Sequence, residues 1–474
     1  KRGTALEEAK TMFEGSVDDV SVSAYSMHTP EGRYDFVSKT PEFFRGTTYM
    51  RLGHRLVKVD IPEDADLQGI FKEQLLVSLR SDWTVGDTTY PQDALLAINI
   101  DKFLRGNRKF EVLFEPEERV SLGGVRNTLN YLLMATLDNV RGRLYRLSFG
   151  EDGWTREEVK LPGLGTISVG STGDVDDSFF FTYTDFTTPS SLYLVRDGKA
   201  PERIKSSPEW FDTEVMEVAQ YEATSKDGTN IPYFVFMPKD FEANGANPTL
   251  LYAYGGFEVS QVPRYSGSRG AAWVAKGGVF ALANIRGGGE FGPKWHQGAM
   301  KEKHQNNFDD FIAVAEDLIA RKISSPKHLG IMGGSQGGLL VGGTFVQRPD
   351  LFNAVVCAVP LLDMKRYNKL LAGNSWMAEY GNPDTEDWEY IKLWSPYQNL
   401  DKKVDYPKVF FWTNTRDDRV HPAHARKMVA RMTEMGKPVY YYENTEGGHA
   451  AAANLNQRAY MASLNFAYLW KMLR

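Results

Sequence analysis

The sequence contains a single cysteine, Cys357, among 474 residues. No internal disulfide can therefore staple the fold, and no set of Cys and His has zinc-finger spacing. No run of 18 or more apolar residues offers a membrane span. Neither sign of charge dominates: 55 Lys+Arg against 61 Asp+Glu leave a net charge of −6, so no basic field draws the chain onto nucleic acid or an anionic membrane. The first residue is Lys1 rather than Met, and no positively charged, apolar, small-residue leader follows it. The compartment stays unknown on these grounds, cytoplasm and periplasm both being open to a soluble protein. With 42% hydrophobic and 24% charged residues the composition is that of an ordinary folded chain. What is abundant is glycine, unevenly spread: 19 of the 43 fall between Gly245 and Gly343, where tight turns and close backbone approach are expected.

Two grammars divide the chain. Residues 1–210 alternate short β-rich runs with turn-rich punctuation, and the runs recur: His54–Val59, Ala94–Asn99, Arg143–Leu147 and Ser191–Val195, with a second series at Tyr131–Leu137 and Phe179–Tyr183 spaced by 48 residues. A period of roughly 40 to 50 residues with several strands per unit predicts propeller blades; a β-sandwich with chance spacing is the alternative. At about 45 residues per unit the region holds four or five blades. From residue 211 to 474 strands alternate with helices. A hairpin (Glu214–Ala223 and Ile231–Met237) is followed by strands at Thr249–Tyr254, Gly278–Asn284, Leu329–Met332, Lys408–Thr413 and Pro438–Glu443. Helices are expected at Asn307–Arg321, Pro422–Met435 and Asn456–Leu473. This pattern predicts an α/β domain whose parallel sheet is covered on both faces.

Within the α/β region, Leu329–Leu340 reads as strand, sharp turn and helix, with Gly333-x-Ser335-x-Gly337 at the turn. A nucleophile elbow needs this arrangement, with a serine in a strained conformation and glycines two residues to either side for close passage of strand and helix. A glycine-rich turn without chemistry is the plain alternative. A serine hydroxyl becomes a nucleophile only when a base takes its proton and a carboxylate orients that base. Of the three histidines after Ser335, His449 lies in a loop just past a strand, where a base reaches a sheet's C-terminal edge; His421 and His424 open a helix, where exposed or capping roles are expected. Asp417 and Asp418 both follow the strand ending near Thr413, and spacing alone leaves them level, with Asp417 taken. One oxyanion donor is the N–H of Gln336, next after the nucleophile. The loop Tyr252–Phe257 is the source of a second, Tyr254 donating through its phenol unless both tyrosines merely pack. Cys357 is expected to be a buried hydrophobe on a core strand.

Taken together and in order, Tyr252-Ala-Tyr-Gly-Gly-Phe257, Asn284-Ile-Arg-Gly-Gly-Gly-Glu-Phe-Gly292, Gly333-Gly-Ser-Gln-Gly-Gly-Leu-Leu340, Asn374-Ser-Trp-Met-Ala-Glu-Tyr-Gly381, Asp417-Asp-Arg-Val420 and Gly447-Gly-His449 resemble the prolyl oligopeptidases. The resemblance implies α/β plus all-β architecture, an α/β-hydrolase catalytic domain capped by a seven-bladed propeller. It also implies cleavage of short peptides after proline without metal or cofactor. By position it implies Ser335 as nucleophile, Asp417 rather than Asp418 as acid, His449 as base, and Tyr254 with Gln336 at the oxyanion. Arg419 would bind a substrate carbonyl, and Trp376, Phe257, Tyr380 and Val420 would wall the proline pocket. Aromatic walls suit proline, a compact ring with no N–H to satisfy. Gln336 stands where asparagine is usual in the family, Pro360-Leu361 stands near a wall where smaller residues are common, and an ion pair between Arg286 and Glu290 is expected to buttress their loop. Because 210 residues cannot supply seven blades and the leading segment, the propeller is expected to be incomplete here, about three blades and that segment being missing, cleaved off or carried on a separate chain. A broader-specificity aminopeptidase or esterase with the same triad, and a non-catalytic propeller scaffold that binds peptides, are the rival functions.

Overall fold

The computed structural model describes residues 3–196, 199–450 and 452–474. The β-rich first part forms four antiparallel four-stranded sheets, plus a two-stranded hairpin at Trp83–Val85 and Thr88–Tyr90. Their third strands in chain order are Arg45–Leu52, Leu95–Asn99, Arg141–Gly150 and Ser191–Val195, so the repeat holds across all four. The sequence period was out of phase at its start. The run at His54–Val59 contains Arg55–Lys58, the fourth strand of the first sheet, rather than its third. The third and fourth sheets share a core in which Leu133 and Leu144 meet Phe179, Phe181 and Tyr183. Alternation along Phe179–Thr184 gives that face: residues 179, 181 and 183 are buried while 180, 182 and 184 are partly exposed.

The second part builds one eight-stranded sheet. Its strands are β1 (Met216–Thr224), β2 (Asn230–Pro238), β3 (Thr249–Tyr252), β4 (Val279–Ala283), β5 (Leu329–Gly334), β6 (Ala354–Ala358), β7 (Val409–Asn414) and β8 (Val439–Asn444). Across the sheet they run β1-β2-β4-β3-β5-β6-β7-β8. The first two pairings are antiparallel and the rest parallel. The central strands are apolar on both faces, every residue of β4, β6 and β7 being buried, as a sheet covered on two sides requires. Helices α1 (Gln305–Ala320), α2 (Gln336–Gln347), α3 (Ala423–Glu434) and α4 (Leu455–Leu473) are the long ones. Of the apolar stripe that the α1 sequence carries, Phe308, Phe311, Ile312, Val314, Ala315, Leu318 and Ile319, five are fully buried and Ile312 and Ile319 are partly exposed.

By compactness the chain separates into two units, one containing residues up to Pro116 with Ser148–Thr155, the other Glu117–Leu147 and everything from Arg156. In the second unit Val140 and Phe186, from the third and fourth small sheets, enter the same core as Phe234, Phe280 and Trp412 of the large sheet. The first unit has a core of its own around Phe36, Ile70, Leu75, Val77 and Leu96.

Candidate active site

Strand β5 delivers the chain into α2 through Ser335, whose φ of 59° and ψ of −120° lie outside the regions open to most L-residues. A Cβ on Gly333 would stand 2.1 Å from the carbonyl oxygen of Gly337, so this glycine is required by backbone contact. Gly337 itself is under no such pressure. A Cβ there would meet Ala253 O at 3.4 Å, an ordinary contact, and the second crowded position is Gly338, where Ala358 O and Pro360 lie at 2.8 Å. Pro360 is thus packed on α2.

The loops after β7 and β8 bring the other two groups to this turn. His449 Nε2 lies 2.9 Å from Ser335 Oγ, and its Nδ1 lies 2.8 Å from Asp417 Oδ2. A carboxylate only accepts, so Nδ1 carries the proton and Nε2 offers its lone pair to the serine O–H. Asp417 also accepts the N–H groups of Arg419 (3.0 Å) and Val420 (2.8 Å), which fixes its orientation. Asp418 serves differently, accepting the backbone N–H of His449 at 2.9 Å. The two neighbouring aspartates therefore divide the work, one orienting the ring and the other the main chain. Burial raises the pKa of the Tyr254 phenol, and the neighbouring Ser335 side chain pulls it back.

Around this centre, Phe257 and Tyr380 meet edge to face with centroids 5.8 Å apart. Trp376 and Val420 are buried, and the N–H of Ala372 on the Trp376 segment donates to Arg419 O at 3.3 Å. The Arg419 side chain is exposed. Tyr380 is fully buried, with its hydroxyl donating to Gln336 Oε1 at 2.5 Å, so it is a wall without a free polar tip.

Against known proteins, the model of the prolyl oligopeptidase family matches residues 263–474, and that of the prolyl oligopeptidase N-terminal β-propeller domain matches residues 71–202. An uncharacterised peptidase of Sinorhizobium fredii is 44% identical over all of this chain and 67% of its own length. Another from Rickettsia prowazekii is 37% identical over 97% of this chain and 65% of its own length. The solved structure of a post-proline cleaving enzyme from Rickettsia typhi superposes with a TM-score of 0.94 at 36% identity, covering 100% of this chain and 71% of that one. The chain belongs to the prolyl oligopeptidase family. It is by that membership a serine peptidase with an N-terminal propeller domain and a C-terminal α/β-hydrolase domain, and it spans about two thirds of the length of these curated relatives. A separate chain carrying further blades finds no support in the comparisons, the propeller model matching within this chain.

Two expectations, for the Arg286–Glu290 pair and for His424, change. Arg286 does not pair with Glu290. Its guanidinium reaches Asp310 (2.6 and 2.9 Å) and Asp227 (2.5 and 3.2 Å), tying the glycine loop to α1 and to the β1–β2 turn. These bonds hold Asp227 down to about 2. Glu290 instead accepts the Gln261 N–H at 2.6 Å and lies 3.4 Å from the Asn284 amide. His424 is neither exposed nor a cap: its Nδ1 accepts the N–H groups of Leu362 (3.2 Å) and Asp363 (3.1 Å), and burial lowers its pKa to about 4. His421 does take the capping role, accepting the Ala423 N–H at 3.0 Å. Cys357 is fully buried on β6, and desolvation raises its thiol pKa, which makes it inert as expected.

Two side-chain roles that motif reading did not give complete the site. Gln336, fully buried, donates through Nε2 to Gly255 O at 3.0 Å, so the longer side chain binds the Tyr254 loop directly. Asn307 of α1 donates to the same Gly255 oxygen (2.7 Å) and to Arg286 O (2.8 Å). The apolar residues of α1 were the visible signal; Asn307 and Asp310, polar residues buried among them, were the overlooked ones.

Proposed function

We propose that this chain hydrolyses short peptides on the carboxyl side of proline by acyl transfer to Ser335. His449 takes the serine proton at Nε2 as Oγ attacks the carbonyl, and Asp417 stabilises the resulting imidazolium through Nδ1–H. The developing oxyanion is held by the Tyr254 phenol and the Gln336 N–H. His449 then returns its proton to the leaving amine, and water releases the acyl-enzyme by the same relay. Proline is seated among Trp376, Phe257, Tyr380 and Val420, while Arg419, exposed beside Asp417, offers a planar donor set to a substrate carbonyl.

The observation that carries this reading is the continuous hydrogen-bonded line from Asp417 through His449 to a serine held at φ 59°. A scaffold that only binds peptides has no use for such a strained serine. The test pairs fluorophosphonate labelling with matched peptides carrying Pro, Ala or Arg at the cleaved position. Ser335 is expected to label, Ser335→Ala to lose both labelling and turnover by several orders of magnitude, and Pro to exceed Ala and Arg in kcat/KM. Equal rates for all three would move the assignment to a broad-specificity peptidase or esterase, and turnover surviving in Ser335→Ala would end it.

A further inference from the structure

Outside the relay, one buried acid stands against the loop that carries both proposed recognition functions. Glu379 is fully buried on the short helix Met377–Tyr380. Its Oε1 accepts the backbone N–H of Phe257 at 2.9 Å, and its Oε2 lies 2.8 Å from Nε2 of His296, itself fully buried on the short helix Pro293–Gln297. His296 Nδ1 lies 3.9 Å from Glu258 Oε2. The N–H that Glu379 holds belongs to a strained segment, since Phe257 (φ 54°) and Glu258 (φ 59°) are two consecutive non-glycine residues in the left-handed region. Such a residue is strained and persists only where its surroundings over-determine it.

The same segment begins at Tyr254. Its start is fixed from another direction, Gly255 O accepting from both Gln336 and Asn307. Gly256 cannot carry a side chain, for a Cβ there would lie 2.6 Å from Gln336 Cγ. Toward the far end the Glu258 N–H donates to Gly287 O at 3.1 Å, and the Phe257 N–H to Glu379, next in the chain to Tyr380, whose ring meets Phe257.

We propose that Glu379, oriented by His296, is a positioning residue that keeps the Tyr254–Glu258 loop in its strained form, with the Tyr254 phenol at Ser335 and the Phe257 ring against Tyr380. This rests on the reading of Tyr254 as an oxyanion donor and Phe257 as a pocket wall. Without the carboxylate at this place, the Phe257 N–H loses its 2.9 Å hydrogen bond to Glu379, and the loop relaxes toward ordinary backbone angles. Both the oxyanion donor and the proline wall then move together.

The experiment is a double-mutant cycle between Glu379→Leu and Tyr254→Phe, scored per labelled active site. One readout is the rate of Ser335 phosphonylation by a fluorophosphonate, which needs the oxyanion site but no proline; the other is the Pro-to-Ala ratio in kcat/KM. Glu379→Leu is expected to slow phosphonylation by about 10- to 100-fold and to compress the Pro-to-Ala ratio. In that background Tyr254→Phe should cost under about tenfold, against about 100-fold or more in the wild type. Glu379→Gln keeps an oxygen for the Phe257 N–H and should restore phosphonylation to within about threefold. A residue that merely stabilises the fold would lower the labelled fraction and leave the rate per site and the Tyr254 cost unchanged, and that result overturns the proposal. Should Glu379→Leu not fold, His296→Gln carries the same cycle with the same two readings. A wild type without proline preference would sink the functional reading alone, because the phosphonylation cycle still reports on Glu379.

Discussion

Glu290 keeps a fully buried carboxyl whose partners are two neutral donors, the Gln261 N–H and the Asn284 amide. Burial is the leading cause that pushes its pKa up to about 7, with those hydrogen bonds pulling it down. The unfolded value is about 4.3, so the folded state holds the proton more tightly. The resulting stability is present in full below about pH 4 and is lost as pH rises through about 7, a difference of roughly 4 kcal/mol. Buried His424, its pKa lowered to about 4, works in the opposite direction over part of this range, so we predict a difference: Glu290→Gln gains thermal stability relative to the wild type as pH rises from 5 to 8, and identical slopes in both proteins would show that Glu290 does not titrate there. The contrast with the relay residues explains what the sequence made readable. Ser335, Asp417 and His449 sit in short local patterns because each must leave a strand end at a fixed place. Glu379, His296 and Asn307 have partners 122, 83 and 52 residues away, and nothing local distinguishes a buried acid or amide from a solvated one. The pairing of Arg286 went astray for the same reason, its true partners Asp227 and Asp310 lying 59 and 24 residues distant rather than within its own motif.

At the level of elements, the β5–α2 elbow divides its glycines by what lies opposite them. The spacing G-x-S-x-G suggests two equivalent positions, but the crowded ones are Gly333 and Gly338. Gly333→Ala must move backbone at 2.1 Å and is expected to destabilise by about 1–3 kcal/mol, the usual range for forced overpacking. Gly337→Ala meets only ordinary contacts inside a helix and should be neutral or stabilising by about 0.5–1 kcal/mol. Thermal melts of the two variants check this, and equal losses would return both glycines to one role. Strands and helices of the large sheet were legible because burial on one or two faces imposes a period on the sequence. The 48-residue recurrence between the third and fourth small sheets was legible for the same reason. The first sheet was less so, because its edge strands are largely exposed: Ser21–Thr29 contains no fully buried residue, and its alternation is confined to the half-buried Tyr25, Met27 and Thr29.

For the whole molecule, the important fact is that apolar burial is not shared out along the chain in order. Residues up to Pro116 with Ser148–Thr155 gather around Phe36, Ile70 and Leu96, whereas the third and fourth small sheets contribute Val140 and Phe186 to the core of the catalytic sheet. Two separate cores can lose their packing at different temperatures, so a single all-or-none transition is not expected of this chain. We predict at least two calorimetric transitions, with a van't Hoff enthalpy below the calorimetric one. Ser335, His449, Asp417 and Tyr254 all belong to the second unit. A peptidyl aldehyde ending in proline, a mimic of the tetrahedral state, should therefore raise the transition of that unit, by about 2.7 kcal/mol at 100 times its Kd. The transition of the first unit should stay where it was. One transition with equal enthalpies, displaced as a whole by the aldehyde, would mean instead that the two cores unfold as a single cooperative body.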